Sequence, residues 1–235
     1  MDNLFYAPEL RGKSHYQLPE EESKHLIRVL RKKAGDEVYF TDGQGYFYKC
    51  RLVDDHPKRS LVEVLDQIPG NDKRNFFLQI AMAPTKNISR TEWFLEKATE
   101  IGIDRITPFV SFHSERKTIK HDRLERVIVS AMKQSLKSFK PELDQLTTFK
   151  EIISTPFQGE KYIAYIHENV TELLSKTYKK DKNALILIGP EGDFSKEEVE
   201  EAINKGFKPV SLGKSRLRTE TAALVACHTI HLINQ

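Results

Sequence analysis

The chain has 235 residues, of which 39% are hydrophobic and 30% charged, and its formal net charge is +3. This length permits one large domain, or a large and a small one, with ordinary hydrophobic cores. The small net charge excludes a polycation that binds nucleic acid over its whole surface, so any such contact must come from local patches.

The start of the chain indicates neither a signal peptide nor a membrane span. It carries an acidic residue and no sustained apolar run, and no apolar stretch of 18 residues follows. The two cysteines are far apart and form no metal or redox motif, and His228 and His231 lack an acidic or cysteine partner nearby. We therefore expect a cytoplasmic protein with no metal and no membrane contact.

The first 68 residues are typical of a small β-rich domain. Strand-forming residues cluster at 38–41, 46–53 and 60–65, and Asp42-Gly43-Gln44-Gly45 is a strong hairpin turn. Residues 20–30 have acids in the first turn and bases later, an order that favours a helix. A polar, turn-rich stretch at 69–74 then predicts a linker between two domains.

Residues 75–235 alternate between strand and helix patterns. Strands are predicted at 76–83, 106–110, 162–166, 184–188 and 207–212. Helices are predicted around 90–101, 121–138, 149–154, 170–178, 196–205 and 219–234. Such alternation favours an α/β fold with a mostly parallel sheet that is covered on both faces.

Two of these strands stop at glycine-containing loops that lead into helices. The strand at 184–188 ends at Gly189-Pro190-Glu191-Gly192, and a capping box, Ser195 with Glu198, starts the next helix. Loops at the carboxyl ends of parallel strands are where α/β proteins bind ligands. A tight strand-to-helix turn explains the same residues equally well. Neither a dinucleotide fingerprint nor a P-loop is present.

The second loop, after the strand at 207–212, carries charged residues. Arg216 and Arg218 alternate around Leu217, so one arginine can point into a pocket while Leu217 packs. Thr219 can cap the last helix, and Glu220 suits its positive first turn. Residues 222–233 of that helix carry no formal charge, which predicts burial against the sheet or in a subunit interface.

These motifs resemble a known family. Gly189-Pro-Glu-Gly192 together with Leu212-Gly-x-x-x-Leu-Arg-Thr-Glu-Thr-Ala222 is similar to the SPOUT methyltransferases, and specifically to the ribosomal RNA small subunit methyltransferase E family. The resemblance extends to Ser114-Glu-Arg116, to Ala131-x-x-Gln-Ser135 and, in the first domain, to the stretch from His25 to Arg31.

The resemblance implies a PUA-like β-barrel at residues 1–68, which binds RNA, and a SPOUT domain at 75–235 with a C-terminal trefoil knot. It implies a homodimer that uses S-adenosylmethionine to methylate N3 of one uridine in 16S ribosomal RNA of the small subunit. The cofactor contacts it implies are Ile166, His167, Gly189, Pro190, Glu191, Gly192, Leu212, Gly213, Ser215 and Leu217. Alternatives are another RNA base, a ribose 2′-hydroxyl, or a non-catalytic ribosome assembly factor of the same fold.

The chemistry of the target atom suggests further roles. N3 of uridine must lose a proton, so Arg218 is expected to stabilise the anion, and Glu191 or Glu220 could accept the proton. The basic residues expected to hold RNA are Arg28, Arg31, Lys86, Arg90, Arg116 and Lys137. The chain departs from the family pattern at Asp193, where glycine is usual, and at Lys137, where arginine is usual.

Overall fold

The computed structural model describes residues 3–166 and 170–235. The chain forms two compact units. The first runs to Lys73 and includes Val129–Lys140, and the second comprises Arg74–Ile128 and Pro141–Gln235. Within the described ranges, no helix is both long enough and apolar enough to cross a membrane.

The first unit is built on a five-stranded sheet. Its strands are β1 (Leu4–Tyr6), β2 (His15–Gln17), β3 (Glu37–Thr41), β4 (Tyr46–Asp54) and β5 (Leu61–Pro69), in the order β1-β3-β4-β5-β2. β1 pairs with β3 in parallel, and the other pairs are antiparallel. Helix α1 (Glu20–Lys24) continues as one π-helical turn over His25–Val29. The three predicted strands and the predicted helical stretch are therefore confirmed.

The hairpin between β3 and β4 is organised by the buried carboxylate of Asp42, which is 1% exposed. Asp42 Oδ1 accepts hydrogen bonds from the backbone N–H groups of Gln44 and Tyr46, at 2.7 and 3.2 Å. Its Oδ2 accepts from the Tyr48 hydroxyl at 3.0 Å. Because Tyr48 is itself buried, this carboxylate connects the turn to the hydrophobic core of the unit.

The second unit is an α/β fold. Its strands are β6 (Leu78–Met82), β7 (Arg105–Val110), β8 (Glu142–Leu143), β9 (Thr147–Thr148), β10 (Glu160–Ala164), β11 (Ala184–Ile188) and β12 (Lys208–Val210). Its helices are α2 (Ile88–Ile101), α3 (His121–Gln134), α4 (Phe149–Ser154), α5 (Leu174–Thr177), α6 (Lys196–Asn204) and α7 (Thr219–Asn234). The last residues of α3 belong to the first unit.

All strand pairs of this second sheet are parallel, in the order β12-β10-β11-β6-β7-β8, with β9 also paired to β7. Helices α2 and α7 pack over one hydrophobic core, whereas α4 and α6 contribute to a second core that includes Phe109 and Phe194. A mostly parallel sheet with two covered faces, as the alternating pattern predicted, is confirmed.

Helix α3 is shorter than the sequence predicted. It ends at Gln134 rather than near residue 138, and Leu136 has a positive φ of 53° that no helix continues through. Ser138 then joins the first unit, since its carbonyl accepts from Gly45 N at 2.9 Å and its backbone N–H donates to Asp72 Oδ2 at 3.0 Å. These contacts account for the grouping of Val129–Lys140 with the N-terminal residues.

Replacing Tyr48 by phenylalanine should lower the free energy of unfolding by about 1 to 2 kcal/mol at pH 8, because Asp42 loses a buried hydrogen bond. Burial, followed by the Asp42 carboxylate, raises the pKa of Tyr48 to about 12. The stabilisation is therefore complete below pH 10 and is lost as the pH rises toward 12. Urea unfolding of both proteins at pH 8 and 11 should show the difference shrink, and a difference that grows at pH 11 contradicts this assignment.

Candidate active site

Three loops meet at one edge of the second sheet. Strand β10 pairs in parallel with β11 on one side and with β12 on the other. The carboxyl ends of all three strands therefore lie at the same edge of the sheet. Ile166 follows β10, Gly189–Gly192 follow β11, and Leu212–Leu217 follow β12. The structure thus brings together the residues expected to contact a cofactor, except His167, which lies outside the described residues.

The first glycine loop is tightly packed. A side chain at Gly192 would place its Cβ 3.0 Å from Cβ of His113, and one at Gly189 would approach the Phe194 ring to 3.1 Å. The backbone N–H of Asp193 donates to the Pro190 carbonyl at 2.9 Å, closing the turn. A side chain at either position would therefore require a neighbouring side chain to shift by a few tenths of an ångström. The predicted capping box of Ser195 and Glu198 starts α6 directly afterwards.

Asp193 has a backbone conformation that glycine adopts without strain. Its φ of 59° lies in the left-handed region, which aspartate tolerates better than most residues. Its Oδ1 accepts from Phe194 N at 2.9 Å and its Oδ2 accepts from Ile166 N at 3.2 Å. The carboxylate therefore connects the loop after β11 to the loop after β10, a contact that glycine cannot make.

The surroundings of Asp193 combine burial with positive charge. Burial raises the pKa of its carboxyl group, and the two backbone N–H donors, Arg216 and His113 act in the opposite direction. His113 Nδ1 lies 3.0 Å from the Asp193 carbonyl oxygen, which can only accept, so this nitrogen donates. A fourth loop, the one after β7, is thereby attached to the same point.

Two predicted site residues hold the loop after β6. Glu191 Oε1 accepts from Lys86 N at 3.0 Å. Arg116 donates from Nε to the Thr85 carbonyl at 2.9 Å and from Nη2 to the Lys86 carbonyl at 2.6 Å. The Lys86 ammonium pairs with Glu115 at 2.7 Å. Much of the hydrogen-bonding capacity of these groups is thus used within the protein, in positioning this loop.

The loop after β12 leads into α7. Arg218 occupies the N-cap position, and α7 makes no side-chain cap there. The prediction that Thr219 caps this helix is wrong, because Thr219 already belongs to the helix and is 5% exposed. Leu217 is half-buried, as expected of the residue that packs, whereas Arg216 and Arg218 are both exposed. That one of these arginines points into a pocket stays a prediction. Leu212 packs against the core, and Gly213 (φ 128°) and Ser215 are exposed.

Glu220, in the first turn of α7, is buried with a relative exposure of 7%. Its Oε1 lies 3.7 Å from Arg90 Nε. Among the residues that the structure describes, no group forms a hydrogen bond to its buried Oε2. A buried carboxylate oxygen without a partner is uncommon in proteins and requires an explanation, such as a bound ligand or a catalytic role.

The residues expected to hold RNA fall into two groups. Arg28 and Arg31 are exposed, and Lys137 is half-buried, within the first unit. Lys86, Arg90 and Arg116 belong to the second unit, where each contacts an acidic side chain or a carbonyl group. Within this set, the cations of the second unit therefore make more contacts inside the protein than those of the first unit.

Sequence reasoning missed Phe112 and His113, which follow β7. The available signal was an aromatic residue and a histidine directly after an apolar strand, at the edge of the sheet where the glycine loops also end. Their relation to Gly192 and Asp193 depends on contacts between segments about 80 residues apart, which periodicity does not reveal.

Comparison with known families agrees with this geometry. Residues 72–231, more than half of the chain, match a family described as "RNA methyltransferase domain". Residues 18–65 match "RNA methyltransferase PUA domain", which confirms the PUA-like character predicted for the N-terminal domain.

Individual relatives cover nearly the same length. The ribosomal RNA small subunit methyltransferase E of Mesomycoplasma hyopneumoniae is 30% identical over 84% of this chain and 86% of that protein. A probable rRNA-methyltransferase from Porphyromonas gingivalis superposes with a TM-score of 0.91 at 46% identity, covering 99% of this chain and 98% of that one. A putative methyltransferase from Legionella pneumophila, solved with bound SAM, gives 0.90 at 25% identity, covering 100% and 98%. The chain therefore belongs to the RNA methyltransferase family.

Proposed function

We propose that this protein transfers the methyl group of S-adenosylmethionine to N3 of a uridine in the 16S ribosomal RNA of the small subunit. The observation that carries the proposal is the meeting of the β10, β11 and β12 loops around Asp193. The names of the relatives support ribosomal RNA as the substrate, and the Legionella neighbour supports the cofactor.

The residues at this edge fit such a cofactor. Ile166 is 63% exposed, which leaves an apolar surface for an adenine ring, and Gly192 allows backbone to approach a ligand closely. We propose as contacts the described members of the predicted set: Ile166, Gly189, Pro190, Glu191, Gly192, Leu212, Gly213, Ser215 and Leu217. His167 remains a proposed contact from the resemblance alone. When bound, S-adenosylmethionine supplies an electrophilic methyl group on a positively charged sulfur.

Arg218 is the proposed electrostatic catalyst. The N3 proton of uridine lies between two carbonyl groups, and N3 becomes nucleophilic when that proton leaves. A guanidinium close to O2 or O4 stabilises the resulting anion and so lowers the pKa of the imide. Arg218 suits this role because its side chain is exposed at the start of α7, on a backbone that the helix fixes.

Between the two acids, Glu220 is the better candidate to receive the proton. Glu191 Oε1 already accepts from Lys86 N, so this residue acts as an anchor of its loop. Glu220 Oε2 has no partner among the described residues, while Arg90 lies near Oε1 and restrains the carboxylate. A buried acceptor with one open position can take a proton directly or through one water molecule.

The remaining expectations belong to the same proposal. A PUA-like domain at 1–68 and a linker at 69–74 would present Arg28 and Arg31 to RNA, with Lys137 from the segment that joins that unit. Lys86, Arg90 and Arg116 would lie along the RNA next to the reacting site. A trefoil knot in 75–235, a homodimer and a cytoplasmic location complete it; the uncharged partly exposed residues of α7, such as Leu224 and Leu232, support the dimer.

Titration calorimetry with S-adenosylmethionine should show saturable binding, and incubation with small-subunit RNA and labelled cofactor should yield 3-methyluridine on nucleoside digestion. Ribosomal RNA from cells that lack the protein should lack this nucleoside until the gene is restored. Ribose methylation, or another methylated base, would support the corresponding alternative. Absence of cofactor binding would instead favour a non-catalytic assembly factor.

Substituting Arg218 by alanine should lower kcat by about a hundredfold to a thousandfold, the usual cost of removing one charge-stabilising donor. The dissociation constant for S-adenosylmethionine should change by less than about threefold, since the role concerns the nucleotide anion. Arg218→Lys should recover part of the rate because it keeps the charge. Lys208→Ala, which removes an exposed cation from β12, is the control, and an equal loss there would refute a specific role for Arg218.

Asp193→Ala should weaken binding of S-adenosylmethionine by about tenfold, equivalent to about 1.4 kcal/mol. Alanine loses the connection to Ile166 N and is strained at a φ of 59°. Asp193→Asn keeps one acceptor oxygen and tolerates this conformation, so it should bind within about threefold of the unmodified protein. Equal affinities of the alanine and asparagine variants in calorimetry would show that the connection between loops is unimportant for the cofactor.

A further inference from the structure

Phe112 is an aromatic side chain that the mechanism above does not use. Its relative exposure is 76%, the highest of the large hydrophobic residues in the part of the chain that the structure describes. A single exposed apolar residue needs no explanation by itself. The position of Phe112 does need an explanation, because it lies two residues after the carboxyl end of β7 and beside the loops of the candidate site.

The turn that carries Phe112 is firmly held. Ser111 and Ser114 are buried, at 6% and 5% exposure. Ser111 N donates to Ser114 Oγ at 3.0 Å, and Ser114 N donates to the Ser111 carbonyl at 3.1 Å. The exposed ring is thus presented by an ordered backbone, which lowers the entropic cost of binding a partner through it.

Two contacts fix this turn to the glycine loop and its helix. The backbone N–H of Phe112 donates to Glu198 Oε1 at 2.8 Å, while Oε2 of the same carboxylate serves the capping box of α6. His113 contacts the Asp193 carbonyl and packs against Gly192. Phe112 therefore lies next to the residues proposed to hold the methyl donor.

The chemistry around the ring favours a nucleic acid. Lys117 and Lys120, on the segment that follows, are exposed cations, and the His113 ring meets the Phe112 ring edge-on with centroids 4.9 Å apart. Lys117 and Lys120 are five and eight residues from Phe112 along the chain. Proteins bind unpaired RNA by stacking its bases on exposed aromatic side chains while cations contact its phosphates.

We propose that Phe112 stacks on a base of the RNA substrate, either the target uridine or its neighbour, and so holds the RNA at the site. This inference rests on the proposed function for the identity of the reaction, but the stacking contact requires only that RNA binds here. Phe112 is accordingly a substrate-binding residue that contributes to KM for RNA rather than to the affinity for S-adenosylmethionine.

The test is steady-state methylation of small-subunit RNA by the full chain, together with direct titration of RNA and of S-adenosylmethionine. Phe112→Ala should raise KM and the dissociation constant for RNA by about tenfold to a hundredfold, the range measured for loss of one stacked base. Phe112→Tyr and Phe112→Trp should stay within about threefold of the unmodified protein. Phe112→Leu, which keeps apolar area without a π face, should resemble alanine. Ile203→Ala, in the exposed part of α6, is the control and should change nothing.

Several outcomes would overturn the proposal. A leucine variant with normal KM would show that apolar cover alone is needed, and weaker binding of S-adenosylmethionine by Phe112→Ala would assign the ring to the cofactor. If Phe112→Ala converts a dimer to a monomer in size-exclusion chromatography, the ring contacts a second copy of the chain instead.

The proposed reaction and the stacking proposal can fail separately. If unmodified protein forms no 3-methyluridine but Phe112→Ala still loses RNA affinity, only the proposed reaction fails. If methylation is normal and RNA affinity is unchanged, only the stacking proposal fails.

Discussion

The parallel pairing of β10 between β11 and β12 is the constraint on which the candidate site depends. Parallel strands all end at the same edge of a sheet, so three loops that are distant in sequence become neighbours without any contact of their own. The side chains then need only refine a proximity that the backbone hydrogen bonds have already produced. This explains how short loops rich in glycine can form a binding site.

Asp193 adds a side-chain connection to this arrangement. At a position with positive φ, glycine is free of strain but has no side-chain hydrogen-bonding group. Aspartate is somewhat strained there, but its carboxylate accepts a hydrogen bond from the backbone N–H of Ile166 and so connects that residue to the glycine loop. The backbone carbonyl of Asp193 accepts a hydrogen bond from His113 Nδ1. Asp193 therefore also holds the turn that carries Phe112.

The charged residues of the candidate site differ in how far their hydrogen bonds are already made within the protein. Arg116 and Glu191 form hydrogen bonds with the backbone of the loop after β6. Their substitution should therefore disturb the geometry of that loop first. Glu220 keeps one buried oxygen without a described partner, and Arg218 remains exposed. Groups that are positioned but incompletely paired are the ones that can respond to a substrate, because their interactions are not already satisfied within the fold.

The sequence by itself determined the alternation of strands and helices, the two-sided parallel sheet and the Asp42 hairpin, since these depend on local periodicity and turn residues. The assignment of the glycine loops to a cofactor came from the resemblance to a known family. The sequence did not determine the end of α3 at Gln134, the grouping of Val129–Lys140 with the first unit, or the contacts of Phe112 and Arg116. Those depend on hydrogen bonds between residues far apart in the chain. Only the tertiary structure brings such partners together, because a residue's local sequence does not specify its distant neighbours.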